Sequence, residues 1–212
     1  NDSLDKCLWT CAESDKKLWG KHYGDWLGLD APAGSYVGSS NIDFIASAFY
    51  AYSTELLIKS GKVIGKDMSK YETLYENIAA TFKKTFTEYN TQTECTLALC
   101  FNLTEDRAKT ASKLNELVKN NGNRLQTGFV GTPYLLYALS ENGYAETAYS
   151  LLLQEEYPSW LYEVNHGATT IWEHWDGIRD DGTFWSSDMN SYNHYAYGSV
   201  VGWLYSVAAG IN

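Results

Sequence analysis

The sequence predicts an all-α protein, and three observations carry that expectation. Apolar residues recur at three-and-four spacing through most of the chain. Strand signals are scarce, and the periodic stretches are short and joined by glycine-containing turns. Helices with one apolar stripe bury it by pairing, so the expected architecture is a stack of antiparallel helical hairpins. No repeat of fixed period is visible and no Pro/Ser-rich linker divides the 212 residues, so residues 1–212 read as a single domain.

The elements follow in order. From Asn41, a stripe of Ile42, Ile45, Ala46, Phe49, Tyr50, Leu56 and Leu57 predicts a helix, with Gly61 as its stop. Asp67 reads as the N-cap of a second helix, whose stripe is Met68, Tyr71, Leu74, Tyr75, Ile78, Phe82 and Phe86. The apolar stretch from Thr93 to Leu103 reads as a short buried helix. Thr104 then predicts a cap, with Glu105 and Asp106 in the first turn where the helix dipole favours acids, and Gly122 as the end. Pro133 marks a helix start, because proline lacks only an N–H that the first turn leaves unused. Tyr134 to Leu139 is apolar on nearly every side and so reads as buried. Tyr144 to Gln154 and about Asn193 to Ala208 complete the helices.

Composition excludes some function classes. A formal charge of −10 without a Lys/Arg cluster would repel phosphate backbones, which argues against nucleic acid. No apolar run approaches the roughly 18 residues of a membrane span. The four cysteines stand as Cys7/Cys11 and Cys95/Cys100, and neither spacing is a zinc pattern. Buried thiols are the expectation for them, with a Cys7–Cys11 disulfide as the alternative.

Two long segments break the helical rhythm, Trp19 to Ser40 and Glu155 to Tyr192. They are too rich in Trp, Tyr and Gly and too poor in charge for disorder, so they are expected to build a site. The second holds Trp160, Trp172, Trp175 and Trp185 among carboxylates and imidazoles. Aromatic faces suit the C–H faces of a sugar ring, while Asp, Glu, Asn and His suit its hydroxyls. Glycosidic cleavage also needs two carboxyl groups flanking the bond.

The runs GATTIWEHWDG (Gly167 to Gly177) and MNSYNHYAYGSVVGWLY (Met189 to Tyr205) resemble bacterial α-L-rhamnosidases with a helical-toroid catalytic domain. So do YGDWL (Tyr23 to Leu27), TGFVGTPYLLYAL (Thr127 to Leu139) and YPSWLYEV (Tyr157 to Val164), in family order. The resemblance spans roughly Tyr23 to Ile211. It implies part of an (α/α)6 toroid and an inverting hydrolysis of rhamnose-containing glycosides that needs no metal or organic cofactor. Glu173 matches the family's general base, which deprotonates the attacking water. His194 matches a residue that hydrogen-bonds rhamnose, and Trp26 a wall of the sugar pocket. Asp25 and Trp175 are expected beside them at the substrate.

Each assignment has a plainer competitor. Glu173 would otherwise be a buried carboxylate tied to Arg179 or a backbone amide, His194 a helix cap, and Trp26 a core indole. Asp176 and Asp188 read as structural. The family's general acid lies in a motif resembling DERLGWTGD, and no stretch of the 212 residues matches it. The chain therefore reads as the back portion of a catalytic domain, an incomplete ring that is inactive alone. It is expected to self-associate or to pair with the missing N-terminal part through exposed apolar faces. Three alternatives remain at this level: a toroid hydrolase for another sugar, a non-catalytic carbohydrate-binding protein, and a helical scaffold for protein partners.

Overall fold

The computed structural model describes residues 7–9 and 23–211. Cys11, and the part of the first irregular segment that precedes residue 23, lie outside them. The described residues are helical. Their extended backbone pairing is limited to two isolated bridges, Trp26 with Val37 and Ile178 with Phe184.

Helix α1 (Ile42–Val63) packs on α2 (Ser69–Thr85). Helix α3 (Gln92–Cys100) packs on α4 (Arg107–Asn120) and on α5 (Thr132–Ser140), and α5 packs on α6 (Ala145–Leu152). A one-turn helix, α7 (Trp160–Asn165), lies inside the second irregular segment. The C-terminal element changes character along its length: a 3-10 turn at Ala196–Ser199, α8 (Val200–Trp203), then a π turn at Leu204–Ala208. These are the hairpins of part of a ring.

Helix α3 organises the interior. Every residue from Gln92 to Leu99 is buried. Leu97 and Ala98 join Phe44, Ile78, Phe82 and Phe101 in one apolar cluster. Cys95 and Leu99 join a second, with Leu114, Leu135, Leu139, Trp160, Trp175 and Trp203. A helix with both flanks covered needs no polar face, which is why its sequence shows no amphipathic stripe. Each such leucine contributes about 1.5–3 kcal/mol by burial. Cys7, Cys95 and Cys100 are free, and burial pushes the Cys95 and Cys100 thiols up to about 12.

The helix ends correct four expectations. Gly61 does not stop α1. It lies inside the helix, at a place where a Cβ would collide with the Met68 side chain arriving from the next hairpin arm. The stop is Gly65, at φ +69°, whose N–H donates to the Lys62 carbonyl while the Lys66 N–H donates to that of Gly61. Helix α4 is capped by Asp106, whose carboxylate accepts from the Lys109 N–H, and not by Thr104. The Thr104 hydroxyl pairs with Thr110 instead. Gly122, at φ +69°, closes α4 as expected. The last helix starts at Ala196 rather than Asn193, and the His194 N–H before it donates to the Ile171 carbonyl, 2.8 Å away. The N-cap of α2 is Met68 and not Asp67, whose carboxylate lies one residue earlier and accepts from the Ser69 N–H at 3.0 Å.

Candidate functional site

The two irregular segments meet through the loop before α5. At its centre is Asp25, which is 1% exposed. One carboxylate oxygen accepts from the Val130 N–H (3.0 Å) and the Gly131 N–H (3.2 Å). The other accepts from the Gly128 N–H (2.8 Å) and from the Thr93 hydroxyl of α3. Burial raises the Asp25 pKa, while these four donors pull it back down. The neighbouring Trp26 carbonyl accepts from the Phe129 N–H at 2.9 Å. Gly128 sits so close to Trp26 and Gly28 that a side chain would strike their backbone. Asp25 thus ties the Trp26 loop to the α5 loop.

From there an aromatic wall runs outward. Tyr23 meets Trp26 edge-on at 5.6 Å between ring centroids, Trp26 meets Tyr36 at 5.5 Å, and Tyr36 meets Trp185 at 6.0 Å. Trp185 stacks on His174 at 3.5 Å. Tyr23 and Tyr36 are exposed and Trp26 is half-buried, so indole and phenol faces are open to solvent along this line. The imidazole of His174 is buried, and burial pulls its pKa down to about 4. It is neutral at neutral pH.

Glu173 stands next to it and is half-buried. Its backbone N–H donates to the Ser191 carbonyl (2.8 Å), and the Ser191 N–H donates to its Oε2 (2.9 Å). Among the described residues no cation pairs with it. The Arg179 guanidinium goes to Asp176 instead, at 3.3 Å. Of the two plainer readings of Glu173, the ion pair to Arg179 is absent and the backbone amide is present on one oxygen only. A carboxylate held by one N–H, beside a neutral imidazole, has a second oxygen for another partner.

His194 is half-buried and stacks on Phe129 at 4.7 Å. Its Nδ1 accepts from the Ala196 N–H (3.3 Å), so in the neutral ring the proton sits on Nε2 as a free donor. Phe129 therefore links His194 to Trp26, and the Met189–Asn193 stretch links His194 to Glu173. The structure brings Trp26, Glu173 and His194 to one rim.

Two residues expected at the substrate lie beneath that rim. All the hydrogen bonds of Asp25 point inward. Trp175, 1% exposed, stacks on Tyr197 at 3.9 Å and meets Trp160 edge-on at 5.2 Å. Both side chains are buried. Sequence reasoning missed His174 and Trp185 as a stacked pair, since residues 11 positions apart in a loop obey no periodicity. It also missed α7, too short for a stripe, although Ser159 announces it by accepting from the Tyr162 N–H.

A cavity of about 100 Å³ lies behind the wall, lined by Tyr36, Tyr157, His174, Trp175, Trp185 and Tyr197 among others. That is below the roughly 300–1,000 Å³ of a small-molecule pocket. A larger cavity of about 570 Å³ runs between α2 and α4. It is lined by charges of both signs, such as Lys83, Glu88, Lys109 and Glu116, and by no indole, and it contains none of the candidate residues.

Residues 4–208 match the family model described as the bacterial alpha-L-rhamnosidase 6 hairpin glycosidase domain. An alpha-L-rhamnosidase of Streptomyces avermitilis is 39% identical over 197 residues, covering 89% of this chain and 18% of that protein. One from Formosa agariphila is 39% identical over 200 residues, covering 89% and 22%. The chain thus spans about a fifth of the length of these relatives. Among solved structures, the Streptomyces avermitilis alpha-L-rhamnosidase complexed with L-rhamnose superposes with a TM-score of 0.85 at 36% identity, over 97% of this chain and 19% of that one. The Aspergillus terreus enzyme gives 0.80 at 34%, over 87% and 23%.

Proposed function

Since the chain belongs to the bacterial α-L-rhamnosidases with a six-hairpin glycosidase domain, we propose that it carries the general-base half of a site that hydrolyses terminal α-L-rhamnosides with inversion. The observation that carries this reading is the Glu173 carboxylate, half-exposed and unpaired by any described cation, on a rim shared with Trp26 and His194. In an inverting reaction the base holds a water against the face of the anomeric carbon opposite the leaving group and takes its proton as the C–O bond forms. Glu173 has an oxygen available for that water. The Trp26 face would pack on the ring's C–H groups, and the His194 Nε2–H would donate to a ring hydroxyl. Asp25 and Trp175 would hold these groups in place without touching the sugar.

Protonation of the leaving oxygen needs a second carboxyl group, and the 212 residues contain no counterpart of the family's acidic, Trp-containing motif. Acid assistance is worth about 10²–10⁴-fold, so the chain alone is expected to bind without efficient turnover. Residues 1–212 would then be one unit, a fragment of a larger catalytic domain. Leu56, Leu57, Val63 and Ile64 on the first hairpin, and Val201, Tyr205 and Val207 on the last, are exposed faces that suit self-association or pairing with the preceding hairpins. Light scattering at rising concentration tests this, and a monomer throughout would contradict it.

The test of function is calorimetric titration with L-rhamnose beside an assay of nitrophenyl α-L-rhamnoside. The expected result is saturable binding, weakened about five-fold by Trp26→Ala or His194→Ala, the equivalent of about 1 kcal/mol each, with nitrophenol release near background. Robust release would overturn the inactivity of the lone chain. Absence of binding would overturn the assignment.

A further inference from the structure

A second glutamate, outside the rim, is placed to govern the first. Glu163 lies on α7 and is 2% exposed. Its backbone carbonyl accepts from the N–H groups of His166 (3.1 Å) and Ala168 (3.0 Å), which turns the chain out of α7 into the Gly167–Glu173 run. Its side chain then reaches the far end of that run, where Oε2 accepts from the Trp172 N–H at 3.2 Å. One residue therefore closes the loop at both ends, and the second closure falls on the residue immediately before Glu173, at the peptide that joins Ile171 to Trp172. From that point the chain is pinned again, by the Glu173 N–H on the Ser191 carbonyl and the Ser191 N–H on the Glu173 carboxylate.

We propose that Glu163 is a positioning residue for Glu173, acting through the Trp172 amide to set where the Glu173 carboxylate stands on the rim. This rests on the reading of Glu173 as the base. The chemistry of Glu163 suits a fixed strut better than a reactive group. Oε1 is fully buried and meets no hydrogen-bond partner among the described residues. Burial pushes the carboxyl up to about 8, so at neutral pH it keeps its proton. The accepting oxygen is then the carbonyl of a neutral acid, and no second negative charge is added beneath the rim. A neutral acid has a close mimic: the glutamine side chain offers the same carbonyl at the same reach.

The test compares Glu163→Gln with Glu163→Leu by amide hydrogen exchange and NMR. In Glu163→Leu the Trp172 amide is expected to exchange about ten-fold faster, the loss of one hydrogen bond. The Ser191 amide, which reports the Glu173 carboxylate, should shift and lose protection with it. Amides of α3 serve as the control for the fold and should not change. Glu163→Gln should restore both the Trp172 and Ser191 signals, and Glu163→Asp, one methylene short, should behave as Leu does. The Asp variant is read instead if Leu prevents folding.

A Ser191 amide unmoved while Trp172 is released would overturn the proposal, leaving Glu163 a local brace. So would a Gln variant that behaves like Leu. These readouts need no sugar. If the unsubstituted chain fails to bind L-rhamnose while Ser191 follows Glu163, the functional reading falls and the positioning role stands.

Discussion

Residues 42–152 and residues 155–195 are built on opposite principles. In the first region helices bury apolar stripes on one another, and polar side chains such as Asp106 and Thr91 cap α4 and α3. In the second, little regular structure is present, and the chain is held by single side chains reaching across loops: Glu163 to Trp172, Ser191 to Glu173, Asn190 to the Gly177 carbonyl at 2.9 Å. The first region is a scaffold whose stability is spread over many contacts. The second concentrates its geometry in a few polar ties, which leaves Glu173 and His194 half-exposed. Rim residues of this kind should therefore tolerate substitution in stability terms, whereas the ties beneath them should not.

The largest effect is expected at Asp25, where scaffold and rim are joined. Asp25→Ala leaves three buried N–H groups and the Thr93 hydroxyl without their acceptor, for a loss of about 3–5 kcal/mol. For a chain of this length that is roughly 10 °C or more in Tm, measurable by thermal denaturation. A loss below about 1 kcal/mol would break the comparison at its joint.

Next comes pH. The folded Glu163 holds its proton up to about 8, whereas the unfolded side chain releases it near 4.5. Between those values the native state binds more protons than the unfolded one, so stability falls as pH rises through the window and levels off above it. The slope from this group is at most about 1.4 kcal/mol per pH unit. Urea midpoints across the window should fall accordingly, and Glu163→Gln should remove this part of the slope. An identical pH dependence in the variant would contradict the buried, protonated acid.

Smaller again is Gly61→Ala. The new methyl meets the Met68 side chain, and overpacking of this kind costs about 1–3 kcal/mol. Met68→Ala in the same chain should relieve part of it, as a double-mutant cycle by urea denaturation would record. The smallest effect is expected at Glu173→Gln, within about 0.5 kcal/mol of the parent in stability because the amide still accepts from the Ser191 N–H. A loss of several kcal/mol there would make Glu173 a structural tie and erase the contrast between the regions.

The same contrast explains what the sequence revealed. Helices α1, α2 and α4 were legible because each has one covered face and therefore a three-and-four stripe. Helix α5 was legible from Pro133 and its apolar run. The ends were less so: Gly61 reads as a stop until the neighbouring arm puts Met68 against it, which is tertiary information. In the site, Trp26, Glu173 and His194 came from motif resemblance, and the structure brings them to one rim. The burial of Asp25 and Trp175 was invisible, since no periodicity tells which way a loop side chain turns. Glu163 did leave a signal, a lone acid within the run from Trp160 to Val164, but a run that short cannot separate a solvated face from a buried strut.

The most direct measurement is an NMR titration of the unsubstituted chain with L-rhamnose, following the side-chain signals of Trp26, Glu173 and His194. The account predicts that all three move together with one Kd, while the buried indoles of Trp160 and Trp203 stay still. Silence from those three while signals from the groove between α2 and α4 respond would contradict it.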